Sequence, residues 1–303
     1  GGVVTEVAGT VLERDGAAYR VATTDGEVRA VLSGKTKRDV PRVVVGDRVT
    51  ILPDPVGGLA TITDVAPRKS LLERRVPLGR GTRPIAANID TVFVVTSNCD
   101  PAPVPQLIDR LLVVAEANEI PAAVVINKVD LDPGVWLEER CRKAGYPVFR
   151  TSARTGEGLA ELRAAMAGRE SVVTGPSGAG KSSLLNALQP GLTLRTGELS
   201  AKLRRGRNTT VSALMLPFEG GYLVDTPGFN EVGLWGIEPR ELASCFPEFR
   251  PLIGECRFQD CRHVSEPGCR IQEAVAAGAI APDRLESYRM LLEETEAEPE
   301  EWE

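Results

Sequence analysis

The sequence predicts an α/β fold, a mostly parallel sheet set between a small N-terminal β-barrel and a short C-terminal helical segment. Three observations predict it: strand-length apolar runs that end in glycine- or asparagine-containing loop motifs, five short β-rich runs ahead of them, and a cysteine–histidine cluster behind them. The 303 residues suffice for two or three domains with substantial cores. No apolar run is long enough to cross a membrane, and no secretory signal is visible after Gly1-Gly2. Six cysteines without a disulfide-like framework fit a reducing compartment, which points to the cytoplasm.

The first segment, residues 1–67, carries the runs Gly9–Leu12, Tyr19–Val21, Val28–Leu32, Asp47–Ile51 and Leu59–Ile62, separated by turn signals. Five such strands suit an OB-type β-barrel. Such a barrel commonly binds nucleic acid, but Tyr19 is its only aromatic residue, so binding would rest on Lys35, Lys37, Arg38 and Arg42. A packing module with an ordinary charged face accounts for these residues equally well. A basic connector, 68–87, follows with Arg68-Lys69, Arg74-Arg75 and Arg80-Gly81-Thr82-Arg83, which either contacts RNA phosphate or is simply solvated.

The central segment, 68–236 with its connector, opens on Asn88–Val95 as a strand. A helix is expected over Pro105–Asn118, with Leu107, Leu111 and Val114 on the face that covers a sheet. Next comes the strand Ala123–Ile126, ending in Asn127-Lys128-Val129-Asp130. Asp130 can accept from a guanine ring nitrogen and its exocyclic amine, while Lys128 lines the base pocket, a pairing that disfavours adenine. The strand Tyr146–Arg150 leads to Thr151-Ser152-Ala153, where the backbone at Ser152 and Ala153 can reach the guanine carbonyl.

Ser171–Thr174 is a short buried strand. After it stand Gly175, Pro176, Ser177, Gly178, Ala179, Gly180, Lys181, Ser182 and Ser183, with a helix running on to Leu188. Glycines let backbone amides turn toward phosphates, Lys181 reaches the terminal ones, and the Ser182 hydroxyl ligates Mg²⁺. Strand, loop and helix in that order, with the helix N-terminus facing the anion, are the context this chemistry requires. Gly221–Val224 then delivers Asp225-Thr226-Pro227-Gly228, with Asp225 placed for the Mg²⁺ shell and Gly228 for the γ-phosphate. Between them, Arg204–Asn208 and Thr209-Thr210 are polar enough for a switch segment in which either threonine can close over Mg²⁺, and equally read as a solvated basic loop before nucleotide binds; the two readings are compatible.

These pieces specify a circularly permuted P-loop GTPase domain. The base-reading motif precedes the phosphate loop, the reverse of the ordinary order. A pocket needs its loops at fixed places in space, not in sequence, so the permuted chain can still build it.

In the last segment, 237–303, Cys256, Cys261, His263 and Cys269 lie within fourteen residues, and His263 is the chain's only histidine. Three thiolates and an imidazole suit one structural, tetrahedral Zn²⁺ with no open position for hydrolytic chemistry. Cys99, Cys141 and Cys245 are expected in or near cores. A helix from Pro282 presents Leu285, Tyr288 and Leu292 on one face, followed by a frayed acidic tail from Glu293 to Glu303. That tail has seven glutamates and no basic residue, so the net charge of −6 leaves the rest of the chain at +1. An RNA partner is therefore not excluded by the overall charge.

Together, the inverted motif order, the small barrel and the Cys-Cys-His-Cys cluster resemble the RsgA (YjeQ) family, the ribosome small-subunit-dependent GTPase A, over nearly the whole chain. Asn88–Asp90, Gly175–Ser183, Asp225–Phe229 and Glu231–Trp235 are similar to its segments. The resemblance implies a bacterial cytoplasmic factor that binds GTP and GDP, contacts the 16S rRNA of the small (30S) subunit late in maturation, and hydrolyses GTP faster when bound there. A monomer is the expected state.

Family members usually have histidine before the switch threonines, whereas this chain has Asn208, which cannot act as a general base near neutral pH. Phe229 stands where many GTPases keep a water-orienting glutamine. Intrinsic turnover is thus expected to be slow, resting on Lys181, Mg²⁺ and positioning, with the subunit ordering Thr209-Thr210 or adding a group. Gly178 replaces the asparagine of potassium-dependent GTPases, so no K⁺ requirement is expected. Two other readings are a nucleotide-sensing RNA scaffold with incidental hydrolysis and an ATP-dependent enzyme; Asn127–Asp130 disfavours the second.

Overall fold

Alternating β-branched runs close the first unit. In the computed structural model, β1 (Val7–Asp15), β2 (Ala18–Thr23), β3 (Gly26–Leu32), β4 (Arg48–Leu52) and β5 (Ala60–Val65) form a closed barrel in the order β1-β2-β3-β5-β4. The structure describes residues 4–39, 42–75, 81–192, 213–226, 229, 234 and 236–297. Every second strand residue points inward, and Val11, Val21, Ala30, Ile51 and Ile62 fill the interior. Tyr19 is buried with them, so the barrel's one aromatic offers no surface for a stacked base. Helix α1 (Gly34–Asp39) spans β3 and β4 and leaves Lys35, Lys37 and Arg38 exposed.

The connector is more ordered than its composition suggests. It holds a hairpin of β6 (Leu71–Arg75) and β7 (Thr82–Ala87), and most of its described basic residues work inside the protein. Arg68 donates twice, at 2.9 Å, to the fully buried Asp47. Lys69 pairs with Asp90 at 2.8 Å and Arg75 with Glu241, leaving Arg74 and Arg83 exposed. The expected strand at Asn88 starts later, because Asn88 sits at φ 60° and its amide ties Gly46 O (2.9 Å) to Lys69 N (2.8 Å). Gly46 allows this close seam: a Cβ there would lie 2.0 Å from Ala87 O.

The central sheet runs β10-β9-β8-β11-β13-β12, comprising β8 (Thr91–Ser97), β9 (Ala122–Asn127), β10 (Val148–Arg150), β11 (Glu170–Thr174), β12 (Leu214–Phe218) and β13 (Gly221–Asp225). All pairs are parallel except β12 with β13. Both faces of β8 are buried, Val92 and Val94 in one core and Phe93 and Val95 in the other, as a covered parallel sheet demands.

Helix α2 (Pro105–Ala117) starts on a proline, whose missing N–H costs nothing at that position. Its buried stripe is Ile108, Leu111, Leu112 and Ala115, whereas Leu107, expected on that stripe, is 43% exposed. The face is rotated because a second layer, not only the sheet, covers the helix. Helices α3 (Val135–Lys143), α4 (Leu159–Met166) and α5 (Lys181–Leu188) complete the layers on the two faces.

The second layer on α2 is the C-terminal unit: α6 (Pro239–Leu242), α7 (Arg270–Ala276) and α8 (Pro282–Glu296). Leu285, Tyr288, Leu291 and Leu292 of α8 are buried, and Tyr288 meets the stacked pair Phe246–Phe249 edge-on. Of the acidic tail, expected to be frayed, the first residues are helical: Glu293 to Glu296 continue α8, with Glu294 paired to Arg110 and Glu296 to Arg262. Residues 298–303 lie outside the described residues.

Candidate nucleotide site and metal centre

Parallel pairing brings the two inverted motifs to one edge. In β8–β9 register, Ser97 faces Asn127, and in β11–β8 register, Thr174 faces Val94, so the loops after β9 and β11 both leave the carboxyl ends of neighbouring strands. Ligands of open α/β sheets bind at that edge.

The loop from Gly175 to Gly180 ends at Lys181, the first residue of α5. Two of its glycines are required by contact. A Cβ on Gly175 would sit 2.1 Å from Val95 O, and one on Gly180, at φ +83°, would sit 2.6 Å from Asn127 Nδ2. Ser177, Gly178, Ser182 and Ser183 face solvent, Pro176 is partly covered, and Ala179 is buried beneath the loop.

Asn127 is buried, and its amide joins three loops. Nδ2 donates to Ala179 O (3.3 Å) and Gly180 O (3.4 Å), while Oδ1 accepts from Thr151 Oγ1 (3.1 Å) and Ala153 N (3.3 Å). Lys128, at φ 61°, donates from Nζ to Gly178 O at 2.9 Å and to Asp100 O. Asp130 is exposed, and its Oδ1 accepts from the buried Ser152 Oγ at 2.8 Å, leaving Oδ2 for a ligand. Val129 turns into the core, so its side chain does not line the pocket as a nucleotide contact.

Asp225 ends β13, next to β11, and lies close enough to Lys181 for each charge to act on the other. Burial lowers the Lys181 pKa, opposed by Asp225; burial raises the Asp225 pKa, opposed by Lys181. Among the described residues each charge is therefore short of counter-charge. A polyphosphate beside Lys181 and a hard divalent cation beside Asp225 and the Ser182 hydroxyl would supply it. Phe229 is buried, which removes its side chain from any contact with water. Thr209, Thr210, Gly228 and the basic run 204–208 lie outside the described residues.

The second centre is the quartet Cys256, Cys261, His263 and Cys269, whose ligand atoms all lie within 4.8 Å of one another. His263 Nδ1 stands 3.7 Å from Cys256 Sγ and 3.4 Å from Cys269 Sγ. Metal bonds of ~2.0–2.3 Å in a tetrahedron require edges of about 3.3–3.8 Å, which both His263 edges meet, and the donor chemistry, three thiols and an imidazole, suits the same ion. Burial, reinforced by the neighbouring thiols, pushes the Cys261 thiol up to about 12, and a bound cation is what would let these sulfurs ionise together. Cys141 and Cys245 are buried thiols, raised by burial to about 11 and about 12, and Cys99 is half-buried.

Two features escaped the motif reading. Glu266 collects the N–H groups of Arg262 (3.0 Å), Val264 (2.9 Å) and Ser265 (3.1 Å) and so shapes the metal loop. Burial raises its pKa, but these donors outweigh it and hold the carboxyl at about 2. Asn98 donates to Asp132 Oδ1 at 2.9 Å, linking the loops after β8 and β9. Neither lies in a motif; only the loop geometry reveals them.

A model of the RsgA GTPase family matches residues 65–235. A protein of Gemmatimonas aurantiaca, Small ribosomal subunit biogenesis GTPase RsgA, is 48% identical over 96% of this chain and 98% of its own length. The protein of that name in Moorella thermoacetica is 43% identical over 94% and 96%. The crystal structure of YjeQ from Thermotoga maritima superposes with a TM-score of 0.79 at 36% identity, covering 97% of this chain and 100% of that one. That of YloQ, described as a circularly permuted GTPase, superposes at 0.76 with 25% identity over 96% and 95%.

Proposed function

The chain belongs to the RsgA GTPase family, and from that premise we propose that it hydrolyses GTP in the maturation of the small ribosomal subunit, with turnover stimulated by the subunit. The observation that carries the reading is the Asn127 amide on the backbone of Ala179 and Gly180: it unites base reader and phosphate loop in one site across 52 residues of inverted sequence. Asp130, oriented by Ser152, reads the guanine edge; the N–H groups of Ser152 and Ala153 donate to Glu157 O (3.0 Å) and Asn127 Oδ1 (3.3 Å), and the longer, weaker Ala153 bond is the one that would give way to the guanine carbonyl. The loop Gly175–Ser183 and Lys181 hold the phosphates.

Ser182 and Asp225 would hold Mg²⁺, which when bound supplies counter-charge to the phosphate oxygens. Neither Asn208 nor the buried Phe229 can serve as a side-chain base, so this chain's own residues bind and orient the phosphates and water attacks only once the switch is ordered. We assign that ordering to Thr209 or Thr210 on the subunit. Cys256, Cys261, His263 and Cys269 would hold Zn²⁺ in a closed, structural role. Contact with 16S rRNA falls to the exposed Lys35, Lys37 and Arg38 and to Arg42, with domains at 1–67, 68–236 and 237–303, in a cytoplasmic monomer. Among the described residues no helix is long and apolar enough to cross a membrane.

The test is GTP turnover with and without purified small subunits, with Lys181→Ala and Ser182→Ala as blanks and ATP as competitor. Stimulation lost in both variants and resistant to ATP supports the reading. Subunit binding with unstimulated turnover instead makes the protein a nucleotide-sensing scaffold, and Asn208→His is then the first reversion. Equal subunit affinity with GDP and a GTP analogue would remove the switch altogether.

A further inference from the structure

The loop after β8 belongs to no nucleotide motif, yet it walls the site beside the base reader. Its Asp100 carbonyl accepts from Lys128 Nζ, the same ammonium that donates to Gly178 O at 2.9 Å in the phosphate loop. Pro101 Cδ would be 3.1 Å from a Cβ on Gly178, so the two loops touch. The β8 loop is held in turn by Asn98, whose Nδ2 donates to Asp132 Oδ1 at 2.9 Å. Asp132 is fixed from its own side, because Oδ1 also accepts Gly134 N (2.8 Å) and its backbone N–H donates to Lys128 O (3.2 Å). The Gly134 N–H, and after it Asn98, hold the Asp132 carboxyl below its ordinary range, as expected of a working contact.

We propose that Asn98 and Asp132 are positioning residues for guanine-nucleotide binding, clamping the β8 loop so that the Asp100 carbonyl holds the Lys128 ammonium against the phosphate loop. The inference rests on the GTP-site reading given above. A lysine stem has several rotatable bonds, and holding it in place before the ligand arrives removes an ordering cost from binding. Without the clamp, Lys128 keeps Gly178 but loses the second acceptor that sets its direction. The loss falls on nucleotide affinity, because the hydrogen bonds of Asn98 and Asp132 described above run to each other, to Gly134 and to Lys128, the base-pocket residue, and not to Lys181 or Asp225.

The full chain is compared with Asn98→Ala, Asp132→Ala, their double variant and Asp132→Asn, whose amide oxygen still accepts from Asn98 and Gly134. Affinity for fluorescent GDP and ADP analogues, KM and kcat with small subunits, and the thermal midpoint without nucleotide are measured. The proposal expects each alanine variant to raise the GDP-analogue Kd and the GTP KM about tenfold with kcat within about twofold. The double variant is then no worse than either single one, and Asp132→Asn lies within about twofold of the parent. Unchanged KM, a fall in kcat alone, additive losses, or thermal midpoints that drop in step with affinity would overturn it. A parent protein that binds the ADP analogue as tightly as the GDP analogue sinks the guanine reading itself, a failure visible before any substitution is made.

Discussion

Arg284 of α8 donates from Nη1 to Asp109 of α2 at 2.9 Å, and neither side chain has any exposed surface. Asp109 also receives Arg140 of α3, while the other face of the Arg284 guanidinium is taken by Glu248 at 2.8 Å. Phe246 and Tyr146 lie against the same guanidinium at 4.5 and 5.7 Å. The C-terminal unit is thus locked onto the sheet by buried charge: Arg284–Asp109 and Arg140–Asp283 cross between the units, while Asp109–Arg140 and Arg284–Glu248 hold each side of the contact in place.

Breaking that lock by Asp109→Ala leaves two guanidiniums buried without their shared carboxylate. The expected cost is about 3–5 kcal/mol of unfolding free energy, read by urea denaturation. Arg284→Lys is also expected to fail, since an ammonium cannot serve Asp109 and Glu248 in one plane.

Acid should act on the same cluster. Burial raises the Asp109 pKa, but Arg284 and Arg140 outweigh it and hold the carboxyl below its ordinary value. A depressed carboxyl contributes stability that is present above its unfolded value, about 3.8, and is lost as pH falls through the folded one. Glu248 has the opposite sign: burial, only partly offset by Arg284, raises it, so its native form resists ionisation as pH climbs past about 4.5. Denaturation midpoints against pH should show a shallower acid limb for Asp109→Asn, and less loss above about pH 4.5 for Glu248→Gln.

Removing the metal should unfold one end of the chain and spare the other. Chelation, or Cys261→Ser, is expected to release one equivalent of zinc by elemental analysis and to produce a separate, earlier thermal transition. GDP affinity should persist, because Cys256, Cys261, His263 and Cys269 lie in the C-terminal unit and not in the loops around Asn127 and Lys181.

Glycine substitutions separate contact from strain. Gly175→Ala drives a methyl into Val95 O, and Gly180→Ala drives one into the Asn127 amide, so GTP affinity should fall more than about tenfold in each. Gly168→Ala, also at positive φ (+68°) but in open space, should cost only about 1 kcal/mol of stability and leave affinity unchanged. Isothermal titration with GDP, beside a denaturation curve, distinguishes the two kinds.

Ser152→Ala removes the donor that fixes Asp130. A hydrogen bond to a carboxylate contributes about 1.5–3 kcal/mol, so discrimination of GTP over ATP should narrow by roughly tenfold or more, measured by competition.

Local chemistry was legible from residue order alone. Gly175 to Ser182, Asn127 to Asp130 and Asp225 each sit at a strand end, and the Cys256–Cys269 quartet lies within one short loop, so the residue types and spacings needed for phosphate, base and metal are written in adjacent positions. The five barrel strands were legible for the same reason, since alternation is a short-range signal. Packing between distant elements set which way Asn127 turns, why Leu107 is exposed, and that Arg68 and Arg75 hold the protein together in place of reaching outward. It alone placed Asn98 against Asp132 and Arg284 against Asp109, partners separated by 34 and 175 residues. A charge or amide carries no mark of its partner in the sequence; burial makes the partner obligatory, and burial is settled only when distant elements pack.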